Sequence, residues 1–175
     1  MQLVYYPDPF LRRKAEPLTH IDDEVRRKVD EMFEIMYAEG GVGLAAPQVG
    51  WGVRLFVLNV TGEPDPDEER VYVNPKVFPV DEDMESVAEE GCLSIPGACG
   101  KVTRNERVAV RALDLNGNEL EEHAEDLHAR VIQHEFDHLD GILFISRLSV
   151  TDRLLVGKTL KKLEKEYKEA KSAGS

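Results

Sequence analysis

His134-Glu135-Phe136-Asp137-His138 follows the pattern H-E-x-x-H. On a helix, four residues advance about one turn, so His134 and His138 project from one face and can grip a single metal ion. Glu135 stands roughly a quarter turn away, within reach of a water activated by that ion. Neutral imidazoles donate lone pairs to the metal, while the carboxylate can take a proton from water and later return it. Paired histidines at this spacing also occur by chance on solvated helices. Here Val131, Ile132, Phe136 and Leu139 give the helix a side to bury, which favours a built site.

A catalytic centre needs a third protein ligand and an open position. The extended zinc-protease pattern would supply a histidine where Phe144 stands, so that route is closed. Cys92 is the strongest candidate, because a thiolate binds divalent metals tightly and Gly91, Pro96 and Gly97 make turns around it. The competing fate of an unpaired cysteine is burial as a small hydrophobe, and that reading is the one we give Cys99. The six-residue gap between the two cysteines is not the spacing of a thiol oxidoreductase motif.

Gly41-Val42-Gly43-Leu44-Ala45-Ala46-Pro47-Gln48 is a third constellation. Ala46 stands where a dinucleotide loop needs its last glycine, and no Lys-Ser/Thr ending makes a phosphate loop. Glycines let backbone approach a substrate closely, and Gln48 offers an amide donor able to polarise a carbonyl.

Elements that could position these groups can be read around them. Val25, Val29, Met32, Phe33 and Met36 recur at helical spacing, predicting a helix over Ile21 to Tyr37 with Asp22 and Asp23 at its positive end. Val53 to Leu58 reads as a buried strand, Val71 to Val73 and Lys76 to Val80 as two short strands. Arg107 to Leu113 and Glu119 to Ala124 read as a hairpin around Asn116-Gly117. Leu127 to Leu139 regains helical spacing, and a last helix over Thr151 to Lys171 carries Leu154, Leu155, Leu160, Leu163 and Tyr167 on one side. Strands in the middle and helices near both ends predict an α+β fold. Antiparallel sheets pack around a central H-E-x-x-H helix, with an N-terminal and a C-terminal helix. We expect one catalytic domain over residues 1–175, frayed at 171–175.

Bulk properties fit this reading. The 175 residues are 42% hydrophobic and 32% charged, a globular profile. Lys plus Arg number 22 against 34 for Asp plus Glu, giving a net charge of −12 that disfavours nucleic acid as the main ligand. Two cysteines make no disulfide framework, the first residues lack a secretory signature, and no apolar run approaches the ~20 residues of a membrane span. The expected address is the cytoplasm.

Taken in order, Gly41 to Gln48, Glu90 to Ser94 and Gln133 to His138 resemble three segments of the peptide deformylase family. The likeness begins at Tyr6-Pro7-Asp8-Pro9 and runs through Leu143-Phe144. It implies a hydrolase that removes the formyl group from the N-terminal methionine of new polypeptides. It further implies Cys92, His134 and His138 as metal ligands, with water in the fourth position, and Glu135 as the base and then acid. Leu93 would give a backbone N–H and Gln48 a side-chain N–H to the oxyanion, with Gly43 against the substrate. Fe²⁺ is the metal the resemblance implies. Two histidines and a cysteine also suit Zn²⁺, and Ni²⁺ is a third occupant. Val42, Leu127, Val131 and the stem of Arg130 are expected walls of a methionine pocket. The resemblance implies ribosome contact through the last helix. One departure is Gly97-Ala98-Cys99-Gly100, uncharged where many relatives place a basic residue. The rival readings are a metallopeptidase and a metal-stabilised binding module, the latter needing Cys99 or His128 as a fourth ligand.

Overall fold

The computed structural model describes residues 1–173. Helix α1 spans Asp23–Ala38, after Asp22, whose side chain accepts a hydrogen bond from Val25 N at 2.9 Å. Asp23 and Glu24 add negative charge to its first turn. The apolar positions named above are the buried ones, and they pack on Leu44, Leu55, Val57 and Val73. Each such side chain gains roughly 1.5–3 kcal/mol over exposure, so burial rather than propensity holds the helix in place.

Five antiparallel strands form the main sheet in the order β1-β2-β3-β6-β7: Gly43–Ala45, Leu55–Leu58, Arg70–Pro79, Arg107–Leu113 and Glu119–Glu125. The two short strands expected around Pro75 are one strand, β3, with an irregularity between Val73 and Lys76. Asn74 takes a left-handed conformation there (φ 52°), and its side-chain amide bonds both Leu18 N and Leu18 O. The 114–118 turn forms as expected, with Asp114 Oδ1 accepting from Asn116 N and Asn118 N.

The strands of the second sheet were not read from the sequence. Strands β4 (Glu85–Gly91) and β5 (Cys99–Asn105) form a separate antiparallel pair in which Gly91 faces Cys99.

Helix α2 (Asp126–Leu139) packs chiefly on β1 and also meets β5, burying Ala129, Ile132 and Leu139. It therefore presents its functional face between the two sheets. Helix α3 spans Val150–Ala173 and packs against β5. Its inward side is Val156, Leu160 and Leu163, whereas Leu154 and Leu155 are 77% and 74% exposed, so these two leave the stripe predicted for them. Spacings of four and three from Val156 put the inward residues on one face, and 154 and 155 fall off it. Of the expected frayed tail, residues 171–173 are helical and 174–175 lie outside the described residues.

Candidate active site

Two elements bring the chemistry together. Helix α2 supplies His134 and His138 one turn apart, their rings edge to face with centroids 5.1 Å apart. Strand β4 ends at Gly91 and delivers Cys92 opposite them. Cys92 Sγ lies 3.4 Å from His138 Nε2, and one ligand atom from each of the three residues falls within 4.8 Å of the others. Metal bonds of about 2.3 Å to sulfur and 2.1 Å to nitrogen, set at tetrahedral angles, put neighbouring donors about 3.5 Å apart. The thiol–imidazole pair fits such an ion. Among the described residues this is the one group able to hold a metal; Cys99 and His128 do not join it. His128 instead lies 3.3 Å from Tyr72 Oη and 3.6 Å from Glu122.

Ring orientation is set by a residue whose role the sequence did not disclose. Glu90, two positions before Cys92, takes His134 Nδ1 at 3.0 Å, which leaves Nε2 for the metal side. Arg104 donates to both Glu90 oxygens at 3.0 and 2.9 Å, and Arg130 adds a bond at 2.8 Å. Burial alone would raise the Glu90 carboxyl. The His134 and Arg104 hydrogen bonds outweigh burial and hold it well below the usual carboxylate range. Burial also works against a proton on His134, but Cys92 and Glu90 overcome it and draw its pKa up to about 10. A metal ion binding there has to displace that proton. His138 is pushed well below its ordinary value by burial and by the His134 and Arg104 charges, so it is a neutral donor.

Glu135 is buried, and its Oε2 has no hydrogen-bond partner among the described residues. Burial raises its pKa to about 7, against the pull of His134 and Arg104. A carboxyl poised near neutrality with one free oxygen is suited to accept and return a proton. Gly43 of β1 comes against it so closely that a Cβ there would lie 2.6 Å from Glu135 Oε1. Gln48 sits in a one-turn 3-10 helix after β1, where its Oε1 accepts from Ala45 N at 2.8 Å. That bond turns Nε2 toward Ser94 Oγ at 3.3 Å and Cys92 Sγ at 3.4 Å.

All seven residues singled out in the sequence lie in or beside one cavity of about 560 Å³. Gly43, Gln48, Cys92, Leu93, His134 and Glu135 line it, and His138 faces Cys92 from behind. The expected methionine walls Val42, Leu127, Arg130 and Val131 line it too, although the Arg130 guanidinium is spent on Glu90, Ser86 and Val102. Cys99, read as a buried hydrophobe, is exposed and lines the cavity, because strand pairing places it opposite Gly91 at the mouth. Arg104 and Asp137 were also missed. Asp137 stood inside the H-E-x-x-H segment, and Arg104 carries no local signal at all.

Comparison with known proteins agrees with this geometry. The family model described as polypeptide deformylase matches residues 1–154. The peptide deformylase of Acidobacterium capsulatum is 45% identical over 163 residues, 93% of this chain and 95% of that protein. That of Pseudomonas aeruginosa is 44% identical over 169 residues, 97% of each. Among solved structures, peptide deformylase from Plasmodium falciparum superposes with a TM-score of 0.92 at 40% identity, covering 96% of this chain and 98% of that one. With the family model spanning every site residue and relatives matching nearly end to end, the chain belongs to the polypeptide deformylase family, metal-dependent enzymes that remove the formyl group from the N-terminal methionine of nascent peptides.

Proposed function

We propose that this chain hydrolyses the formyl amide at the N-terminal methionine of nascent polypeptides, with Glu135 moving the proton and Cys92, His134 and His138 holding the metal. One observation carries the assignment of roles. Among the described residues, a buried carboxylate oxygen without a hydrogen-bond partner, a three-residue ligand cluster and an amide donor meet at one cavity. Fe²⁺ is the metal we assign in the cell, with Zn²⁺ or Ni²⁺ in its place in purified protein.

Cys92, His134 and His138 would hold a divalent ion, which when bound would supply Lewis acidity to a water beside Glu135. Glu135 accepts the proton of the attacking water at its free oxygen. As negative charge grows on the formyl oxygen, Gln48 Nε2–H and the backbone N–H of Leu93 donate to it. Glu135 then gives its proton to the departing nitrogen, so that water and the formyl amide become formate and a free amine. Gly43 lets the backbone of β1 lie directly against Glu135 and so keeps the carboxylate in place beside the formyl group. Val42, Leu127 and Val131 receive the methionine side chain.

The substrate places the protein where formylated chains are synthesised, the cytoplasm on our reading. No helix among the described residues is long and apolar enough to cross a membrane. Contact with the ribosome through the exposed side of α3, where Leu154 and Leu155 project, belongs to the same proposal. The test uses two peptides with the metal-loaded protein. Formate should appear from a formyl-Met peptide while an unformylated peptide stays intact. Cleavage of internal amides without formate release would make the protein a metallopeptidase instead.

A further inference from the structure

A chain of charged hydrogen bonds runs from the metal-ligand helix to the loop before α3. Arg147 grips both oxygens of Asp137, with Nε on Oδ2 and Nη2 on Oδ1, each at 2.5 Å. Asp137 Oδ2 also accepts Arg104 Nη1 at 2.5 Å. The opposite edge of the same guanidinium holds Glu90, and Glu90 holds His134 Nδ1. A guanidinium is planar and rigid, so a tilt imposed by Asp137 at one edge is delivered to Glu90 at the other.

A second route leads to the same ring. Arg147 follows the turn Phe144–Ser146, and its backbone N–H donates to Phe144 O at 2.9 Å. The Phe144 ring stacks on His134, with centroids 6.2 Å apart and planes 27° from parallel. Fixing Arg147 to Asp137 therefore fixes the turn that carries the aromatic face. One route sets the hydrogen bond of His134, and the other sets its ring plane.

Stability is a poor explanation for this arrangement. Arg104, Glu90 and Asp137 side chains are 3%, 5% and 7% exposed, and burying such charges recovers little net stability. A network of this expense has another use when it ends on a metal ligand. We propose that Arg147, which is not among the residues lining the cavity, is a positioning residue for the metal site. Through Asp137, Arg104 and Glu90 on one side and Phe144 on the other, it holds His134 in its binding orientation. The inference rests on the ligand assignment made above.

Arg147 is 42% exposed, so its removal admits water to Asp137 and leaves no internal hole. The experiment measures Zn²⁺ affinity by competition with a chromophoric chelator, and Co²⁺ absorption, for wild type, Arg147→Met and Arg147→Lys. We expect Arg147→Met to lose Zn²⁺ affinity roughly 3- to 10-fold, below the 10–100-fold typical of groups bonded directly to a ligand, and to shift the Co²⁺ bands. Lysine, with a point charge and no fork, should restore only part of that loss. An unchanged affinity in Arg147→Met, whatever its melting temperature, would reduce Arg147 to a structural ion pair and overturn the inference. Full restoration by lysine would overturn the bidentate grip. Failure of the wild type itself to bind Zn²⁺ would instead overturn the ligand assignment.

Discussion

Gly43 and Glu135 are in such close register that only glycine fits: a Cβ at residue 43 would lie 2.6 Å from Glu135 Oε1 and 2.9 Å from its Cγ, with Val131 Cγ1 at 2.8 Å. Gly43→Ala should therefore displace Glu135 from its working position. Misplaced general bases forfeit much of their ~10²–10⁴ contribution, and overpacking costs about 1–3 kcal/mol. We expect kcat/KM for formate release to fall by about 10²-fold in a protein that still unfolds cooperatively. Turnover near the wild-type rate would show that Glu135 can step aside without consequence.

Gln48 has two jobs that can be separated. Its Oε1 satisfies Ala45 N, and its Nε2 faces the ligand cluster. Gln48→Ala loses both, leaving a buried N–H unpaired at about 1–3 kcal/mol. Gln48→Glu keeps the acceptor and loses the donor. It should melt closer to wild type than the alanine variant yet lose ~10²–10³ in turnover, the usual cost of one oxyanion donor. Paired melting and formate assays check this, and a fully active glutamate variant would remove Gln48 from the oxyanion role.

The Glu90 network should make the fold acid-sensitive. The folded-state Glu90 carboxyl sits below its unfolded value of about 4.3. A depressed carboxyl contributes stability that is complete above the unfolded pKa and lost as pH falls toward the folded one. Urea midpoints should thus decline as pH drops below about 4. Glu90→Gln should be less stable at neutral pH by about 3–5 kcal/mol, since it leaves Arg104 and Arg130 short of a partner, and should lose less on acidification. Parallel declines in the two proteins would place the acid sensitivity elsewhere.

Much of the site is legible in the sequence where its logic is local. His134, Glu135 and His138 belong to one helical turn, and Asp22 announces α1 because the cap and the apolar spacing fall within a few residues. The β4–β5 pair is illegible for a physical reason. Its inward positions on β5 are Gly100, Val102 and Arg104, and a buried charge at the third spoils the apolar alternation that marks a strand. Arg104 is buried only because Glu90 and Asp137 neutralise it, 14 and 33 residues away in sequence. Nothing local in the chain predicts such a meeting. The exposure of Cys99 follows from the same unread strand pairing, and Leu154 and Leu155 mislead because apolar character alone does not say which face of a helix is covered.

The most direct test of Glu135 as the proton carrier compares formate release from a formyl-Met peptide by metal-loaded wild type and Glu135→Gln, prepared anaerobically with Fe²⁺ and with bound metal measured in both. Equal metal content, rapid release by the wild type and a loss of about 10²–10⁴-fold in the variant are expected, since the amide cannot take the proton. Near wild-type release by Glu135→Gln, or none from the folded, metal-loaded wild type, would contradict that role.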